Sequence, residues 1–329
     1  MNEITYLFGA GASCQSMPLV SNFPLRFKLF QETIFYIGNI PPDLANEITD
    51  FGKKVESHSS FDTFFKKLFH QNKSNELIIK YKRILFLYLL FEHLVNHETI
   101  KDRSLFKKLE GNNLHRKYPL DPRYEALIAG LLKPVRGKAD FIVNVNFLTW
   151  NYDANLLYAL NSFIAPEEPF YEFITKRKSG NFFQISEQIK LFHLNGHIYH
   201  EMLNQYNSDN SFFEFENLLY SDFKDFANDC IKFAWEQEID KKGIQECIKK
   251  SKSIIITGYS LPLYNRAIDS IILNSQGLYN RNLFIQDLNA TGIAKLLDSD
   301  FNIRNQSLGD PIITLTENCS SFVVPNSIF

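Results

Sequence analysis

A chain of 329 residues with 45% hydrophobic content can bury a full α/β core and one substantial appended module. Its formal charge of -2, with Lys and Arg scattered rather than gathered into an arm or stripe, argues against direct binding of nucleic acid. The most apolar run, Ile84 to Phe91, is bracketed by Arg83 and Glu92 and falls far short of the roughly 20 residues a membrane span needs, so no membrane association is expected.

The chain is predicted to enter a strand at Ile4 to Phe8 and to turn at once through Gly9, Ala10, Gly11, Ala12 and Ser13. Glycines there let backbone approach a pyrophosphate, and the N–H groups of the following turn supply donors. The third glycine of a full dinucleotide fingerprint would fall at Cys14, so a merely tight connection is an equally ordinary reading. From about residue 25 to 140 the pattern is helical, with Phe61, Phe64, Phe65, Leu68 and Phe69 on an i, i+3, i+4 schedule and a second stretch from Tyr81 to Val95. This reads as a large helical insertion.

A strand approach from Phe141 to Trp150 ends in Thr149-Trp150-Asn151-Tyr152-Asp153. If the chain stays extended, Asn151 and Asp153 point the same way and can grip ribose hydroxyls and a carboxamide, although an N-x-D pair also serves as a turn or helix cap. A helix is expected near Ala154 to Phe163, a polar stretch to Gly180, and a strand from Leu191 to Asn195. Extended backbone would set His193, Asn195 and His197 on one face, where an imidazole can act as general base or simply fill a structural role.

Helical periodicity from about Phe213 to Lys250 leads to a β-branched strand, Ser253 to Thr257. It breaks at Gly258 into Tyr259 and Ser260, where open α/β sheets bind ligands. A helix at Arg266 to Asn274, a strand at Leu283 to Gln286 followed by Asp287 and Asn289, a helix at Ile293 to Leu297 and short terminal strands complete the alternation. Asp287 and Asn289 can take ribose hydroxyls or form a surface turn. The fold class expected is α/β: one Rossmann-like parallel sheet with flanking helices, carrying the insertion, over residues 1–329. Cys14, Cys230, Cys247 and Cys319 stand far apart without a C-x-x-C pair, so neither a disulfide framework nor a zinc module is expected, and a reducing cytoplasm fits.

Taken in order, GAGAS at Gly9, TWNYD at Thr149, HLNGH at His193 and TGYSL at Thr257 resemble the motif set of the sirtuin-like family. The branch that depletes NAD+ in bacterial antiphage defence is the most similar, given Phe61-Asp62-Thr63-Phe64-Phe65 and the Asn151-Tyr152-Asp153 and Gly258-Tyr259-Ser260-Leu261 elements. The resemblance implies NAD+ as substrate, no metal, Asn151 and Asp153 on the nicotinamide ribose and carboxamide, and residues 9–13 and 258–260 on the phosphates and adenosine side. The family's catalytic histidine precedes the glycine of the third motif, where this chain has Asn195. Either His193 or His197 substitutes, activity is impaired, or the asparagine has replaced an original histidine.

The reaction implied is hydrolysis of NAD+ to nicotinamide and ADP-ribose, since the paired cysteines of deacetylating relatives are missing. The alternative is an NAD- or ADP-ribose-binding regulatory subunit, with protein deacylation behind it. A toxic hydrolase must be restrained, so control by homo-oligomerisation or by a sensing partner encoded nearby is expected. The 31 phenylalanines and 15 tyrosines suggest aromatic surface at such an interface.

Overall fold

Among the described residues, six parallel strands form the body of one sheet in the structure, a computed structural model that describes residues 3–37, 40–58, 60–71, 73–94, 120–133, 140–198, 219, 223–236, 239–273, 280–304 and 310–326. The chain divides into two compact units. One, the sheet unit, comprises Met1–Ala12, Pro122–Asn195 and Phe233–Phe329; the other, the helical unit, comprises Ser13–Asp121 and Gly196–Lys232.

The strands are β1 (Glu3–Phe8), β2 (Asn144–Thr149), β3 (Lys178–Ser179), β4 (Phe182–Gln184), β5 (Ile189–His193), β6 (Ser251–Thr257), β7 (Asn282–Gln286) and β8 (Ile312–Thr316). The helices are α1 (Phe23–Ile37), α2 (Pro42–Val55), α3 (Phe61–His70), α4 (Asn75–Leu94), α5 (Pro122–Leu131), α6 (Asn155–Ile164), α7 (Phe170–Arg177), α8 (Lys224–Cys230), α9 (Lys241–Lys250), α10 (Arg266–Leu273) and α11 (Ala290–Phe301).

The sheet runs β3-β4-β5-β2-β1-β6-β7-β8. Every pairing from β5 to β8 is parallel, and β3 and β4 add an antiparallel margin. From β1 the connections move outward to β2 and β5, then cross back to β6 and move outward the other way through β7 and β8.

Period-two alternation sorts the side chains between the two faces of the sheet. Leu7, Leu148, Phe192, Ile254, Ile256, Leu283 and Ile285 share one core with Ile244 and Ile248 of α9, Ile268 and Ile272 of α10, and Ile293 and Leu297 of α11. On the opposite face Tyr6, Phe8 and Phe147 stack on one another, and Phe8 meets Tyr124 of α5 and Phe322 of the C-terminal segment.

In the helical unit, aromatic residues at helical spacing pack inward. Phe23, Phe27 and Phe30 of α1 meet Tyr88 of α4, and Phe51 of α2 meets Phe64 of α3 and Tyr81 of α4. Ser60 and Thr63 form a reciprocal capping box that starts α3. Within this core the buried Arg26 guanidinium meets the fully buried Glu92 carboxylate through two hydrogen bonds, one of them Nε to Oε1 at 2.8 Å.

Strand and helix positions agree with the sequence pattern within a few residues, with instructive departures. α5 lies inside the range expected for the insertion, yet belongs to the sheet unit; residues 196–232, not expected to join the helices, belong to the helical unit. The stretch read as polar up to Gly180 holds α7 and β3. The periodicity expected over 213–250 resolves, within its described part, into α8 and α9, with residues 231–236 and 239–240 non-helical; residues 213–218, 220–222 and 237–238 lie outside the described residues, as do Val95 and Asn274.

Candidate functional site at the ends of the parallel strands

One register row organises the sheet unit's chemistry. His193 pairs with Thr149, Thr149 with Phe8, Phe8 with Thr257, and Thr257 with Gln286. Four elements singled out in the sequence begin on the next step of the chain, and the backbone ladder extends to them: Gly9 N–H donates to Thr257 O at 3.0 Å, Trp150 to Phe8 at 3.0 Å, Leu194 to Thr149 at 2.8 Å, and Gly258 to Gln286 at 2.9 Å. Asp287, at the end of β7, donates to Thr316 at 3.1 Å. Gly9 to Ala12, Thr149 to Asp153, His193 to Asn195, Gly258 to Ser260, and Asp287 with Asn289 therefore all follow the carboxyl ends of neighbouring parallel strands.

The glycines interlock. A Cβ on Gly9 would stand 2.5 Å from the Gly258 carbonyl oxygen, one on Gly11 2.8 Å from the Gly258 Cα, and one on Gly258 would strike the Ala12 nitrogen. Gly258 has φ 58, and Gly11 N–H donates to its carbonyl at 2.9 Å. Backbone-to-backbone packing of the β1 and β6 turns thus already requires these glycines, without appeal to a phosphate. Past Gly9 the chain forms a 3-10 turn, Ala10–Ser13. Ala10 and Ser260 are exposed and Gly11 and Gly258 half-buried, so this double turn presents its rim outward.

The end of β2 holds its shape by local bonds. Asn151 N–H donates to the Thr149 hydroxyl at 3.0 Å. Asp153 Oδ1 accepts from the Asn155 N–H at 3.0 Å and from its side-chain amide at 2.6 Å, the Asx turn that launches α6. Both Asn151 and Asp153 are buried. Among the described residues the Trp150 indole N–H and the Thr257 hydroxyl, also buried, have no hydrogen-bond partner.

β5 stops at His193, which corrects the expectation of extended backbone through His197. Asn195 sits in a bend, and its amide donates to the Trp150 carbonyl at 3.1 Å, tying the ends of β5 and β2. Burial pushes the His193 imidazole down to about 3, a hydrogen bond with the Asn151 backbone offsetting part of that, so the ring is neutral at pH 7 and weak as a base.

Ser13 and His197 belong to the helical unit. There His197 N–H donates to the Cys230 carbonyl at 2.9 Å and Gly196 N–H to Lys232 at 2.8 Å; a Cβ on Gly196 would strike the Cys230 carbonyl, which explains that glycine. The Ser13 carbonyl accepts from the N–H groups of Ser16 at 3.0 Å and Met17 at 2.8 Å.

Tyr259 is buried, and its hydroxyl donates to both oxygens of Asp269 at 2.8 and 2.9 Å while accepting from the Asn265 amide at 3.1 Å. Its side chain is committed inward, so within the Gly258–Ser260 element expected on the phosphates and adenosine side its hydroxyl is already engaged. Asp287 Oδ1 accepts from the Asn289 N–H at 2.8 Å, forming a turn, with Asn289 exposed.

Sequence reasoning missed three side chains here. Arg123, a cation on the apolar schedule of α5, donates to the carbonyls of Ala12 at 2.7 Å and Cys319 at 2.9 Å and lies over Phe322. Gln286 binds the carbonyls of Asn318 and Ser321 at 2.7 and 2.5 Å, holding the C-terminal segment. Asp269 stands at the i position to Ile272 and Leu273, an acid on the buried face of an amphipathic helix. A polar residue on an apolar schedule is the signal common to Arg123 and Asp269. Comparison of the chain with protein-family models and with curated proteins finds no match.

Proposed function

We propose that the sheet unit binds NAD+ across the ends of its parallel strands and hydrolyses the bond between nicotinamide and ribose, as an NAD+ glycohydrolase of the sirtuin-like type. The supporting observation is the single register row from which the Gly9, Trp150, Leu194 and Gly258 elements depart. The order β5-β2-β1-β6-β7-β8 corresponds to the 3-2-1-4-5-6 order of the doubly wound dinucleotide fold, whose ligands lie where the order reverses, here between β1 and β6.

In this reading the exposed rim of the Gly9–Ala12 and Gly258–Ser260 turns meets the phosphates and adenosine side, with Asp287 and Asn289 next along the sheet. Asn151 and Asp153 hold the nicotinamide ribose. Nicotinamide leaves as a neutral molecule and the ribose gains oxocarbenium character, so a carboxylate and oriented dipoles favour the transition state without protonating the leaving group. The protein then needs to position water on C1′; ADP-ribose is the second product. An NAD-depleting defence effector in the cytoplasm, restrained by self-assembly or by a partner encoded beside it, is the setting we propose for that activity.

A second reading, an NAD+ or ADP-ribose sensor, is favoured by two observations: Asn195 is bonded to the Trp150 carbonyl, and His193, two residues before it, is held neutral by burial. The test is incubation of the purified chain, alone and with the product of the neighbouring gene, with NAD+ and chromatography of nicotinamide and ADP-ribose. Hydrolysis lost in Asn151→Ala supports the enzyme. Tight NAD+ binding without nicotinamide release under any condition supports the sensor, and neither binding nor release overturns both.

A further inference from the structure

The Tyr259 side chain joins three strand-end elements that the proposed reaction uses separately. Its ring stacks on Trp150, centroids 5.7 Å apart and planes 18° from parallel, directly before Asn151. Its Cα stands where a Cβ on Gly9 would come within 2.6 Å, so it also closes the β1 turn. Two residues on, Leu261 has φ 53 and is buried, a conformation that disfavours a branched residue and persists only when its surroundings dictate it. Two residues before it, the Tyr259 hydroxyl is anchored by its bonds to Asp269 and Asn265.

We propose that Asp269 is a positioning residue: through the Tyr259 hydroxyl it locks the β6 turn and the Trp150 indole, and so sets the affinity of the strand-end site for its nucleotide. The affinity clause rests on the function proposed above; the lock does not.

An ionised Asp269 accepts the tyrosine proton on both oxygens in a charge-assisted bond, whereas a protonated one must use an oxygen as donor and holds the hydroxyl less firmly. Burial pushes the Asp269 carboxyl up to about 7, with the Tyr259 hydrogen bond and Arg266 opposing. Arg266 is itself paired with Asp300 of α11, Tyr264 acts on Tyr259, and α9 brings Cys247 into the shared core, its thiol pushed up to about 11 by burial and therefore neutral. The lock is thus firm above pH 7 and loosened below it.

Trp150 reports on it directly. The chain has 2 tryptophans, so a Trp235→Phe background isolates Trp150. In that background the Trp150 emission is expected to titrate with a midpoint near pH 7, and the titration is expected to vanish in Asp269→Asn and in Tyr259→Phe, with circular dichroism unchanged. Calorimetry with NAD+ and with ADP-ribose should show affinity about tenfold weaker in either variant at pH 8, and affinity that falls toward pH 6 in the parent but not in Asp269→Asn. Emission that does not titrate in the parent, or that titrates equally in Asp269→Asn, overturns the lock. Affinity within twofold of the parent in both variants overturns its role in binding. A parent that binds neither nucleotide overturns the proposed function and with it the affinity clause, while the emission titration still decides the lock.

Discussion

The Asn195 amide donates to the Trp150 carbonyl from a buried bend. A histidine there would keep a ring N–H for that bond and add a second ring nitrogen as a proton acceptor, at a position where the asparagine amide offers none and where His193 is a weak base because of its burial. If the site hydrolyses NAD+, Asn195→His is expected to raise nicotinamide release about 10²-fold, within the usual range of a positioned general base. The gain should disappear in the Asn195→His, Asn151→Ala double variant; a rate unchanged by Asn195→His, measured by chromatography of nicotinamide, would refute this assignment of the position. The placement of the candidate residues at strand ends was legible in the sequence because each follows an apolar strand run. Their partners were not: Asp153 bonds Asn155 two residues on, as any Asx turn does, and nothing in a linear pattern announces that Tyr259 turns inward to an acid ten residues later.

At the scale of elements, the interlocked turns after β1 and β6 make a sharper case for glycine than a phosphate cradle does. Gly258→Ala meets both a positive φ and the Ala12 backbone, and is expected to cost about 3 kcal/mol or more of stability. Gly180 has a similar φ of 63 with nothing within 4 Å of its ideal Cβ, so Gly180→Ala should cost only about 1 kcal/mol. Urea unfolding of the two variants separates backbone conformation from close approach; equal losses would show that the interlock contributes nothing.

β1, β6 and β7 could be placed from sequence because buried parallel strands are uninterrupted apolar runs ending at Gly or Asp. The end of β5 could not, since Leu194 and Asn195 continue the alternation while the backbone bends. α7 escaped notice because charged residues flank its short buried face of Phe170, Phe173 and Ile174. The helical unit's two-segment composition follows from packing of α8 on α4, where Phe86 meets Phe223 and Phe226, and no local periodicity encodes that pairing.

At the scale of the whole molecule, two buried titratable groups set opposing slopes on stability against pH. His193 has a depressed folded value, about 3 against an ordinary 6.5, so its contribution is complete above pH 6.5 and is lost as pH falls toward 3. Asp269 has a raised folded value, about 7 against 3.8, so its contribution is complete below pH 3.8 and is lost as pH rises through 7. Between those limits the unfolded chain holds one more proton at His193 and one fewer at Asp269. The two slopes, each about 1.4 kcal/mol per pH unit, cancel over roughly pH 4 to 6.5, and these groups together leave a plateau there. Removing one unmasks the other. Asp269→Asn should lose stability steadily on acidification below pH 6.5, and His193→Gln should lose it as pH rises from 4 to 7. Urea midpoints measured at half-unit pH intervals test both; parallel profiles for parent and variants would mean that neither group carries its buried protonation state into the folded protein.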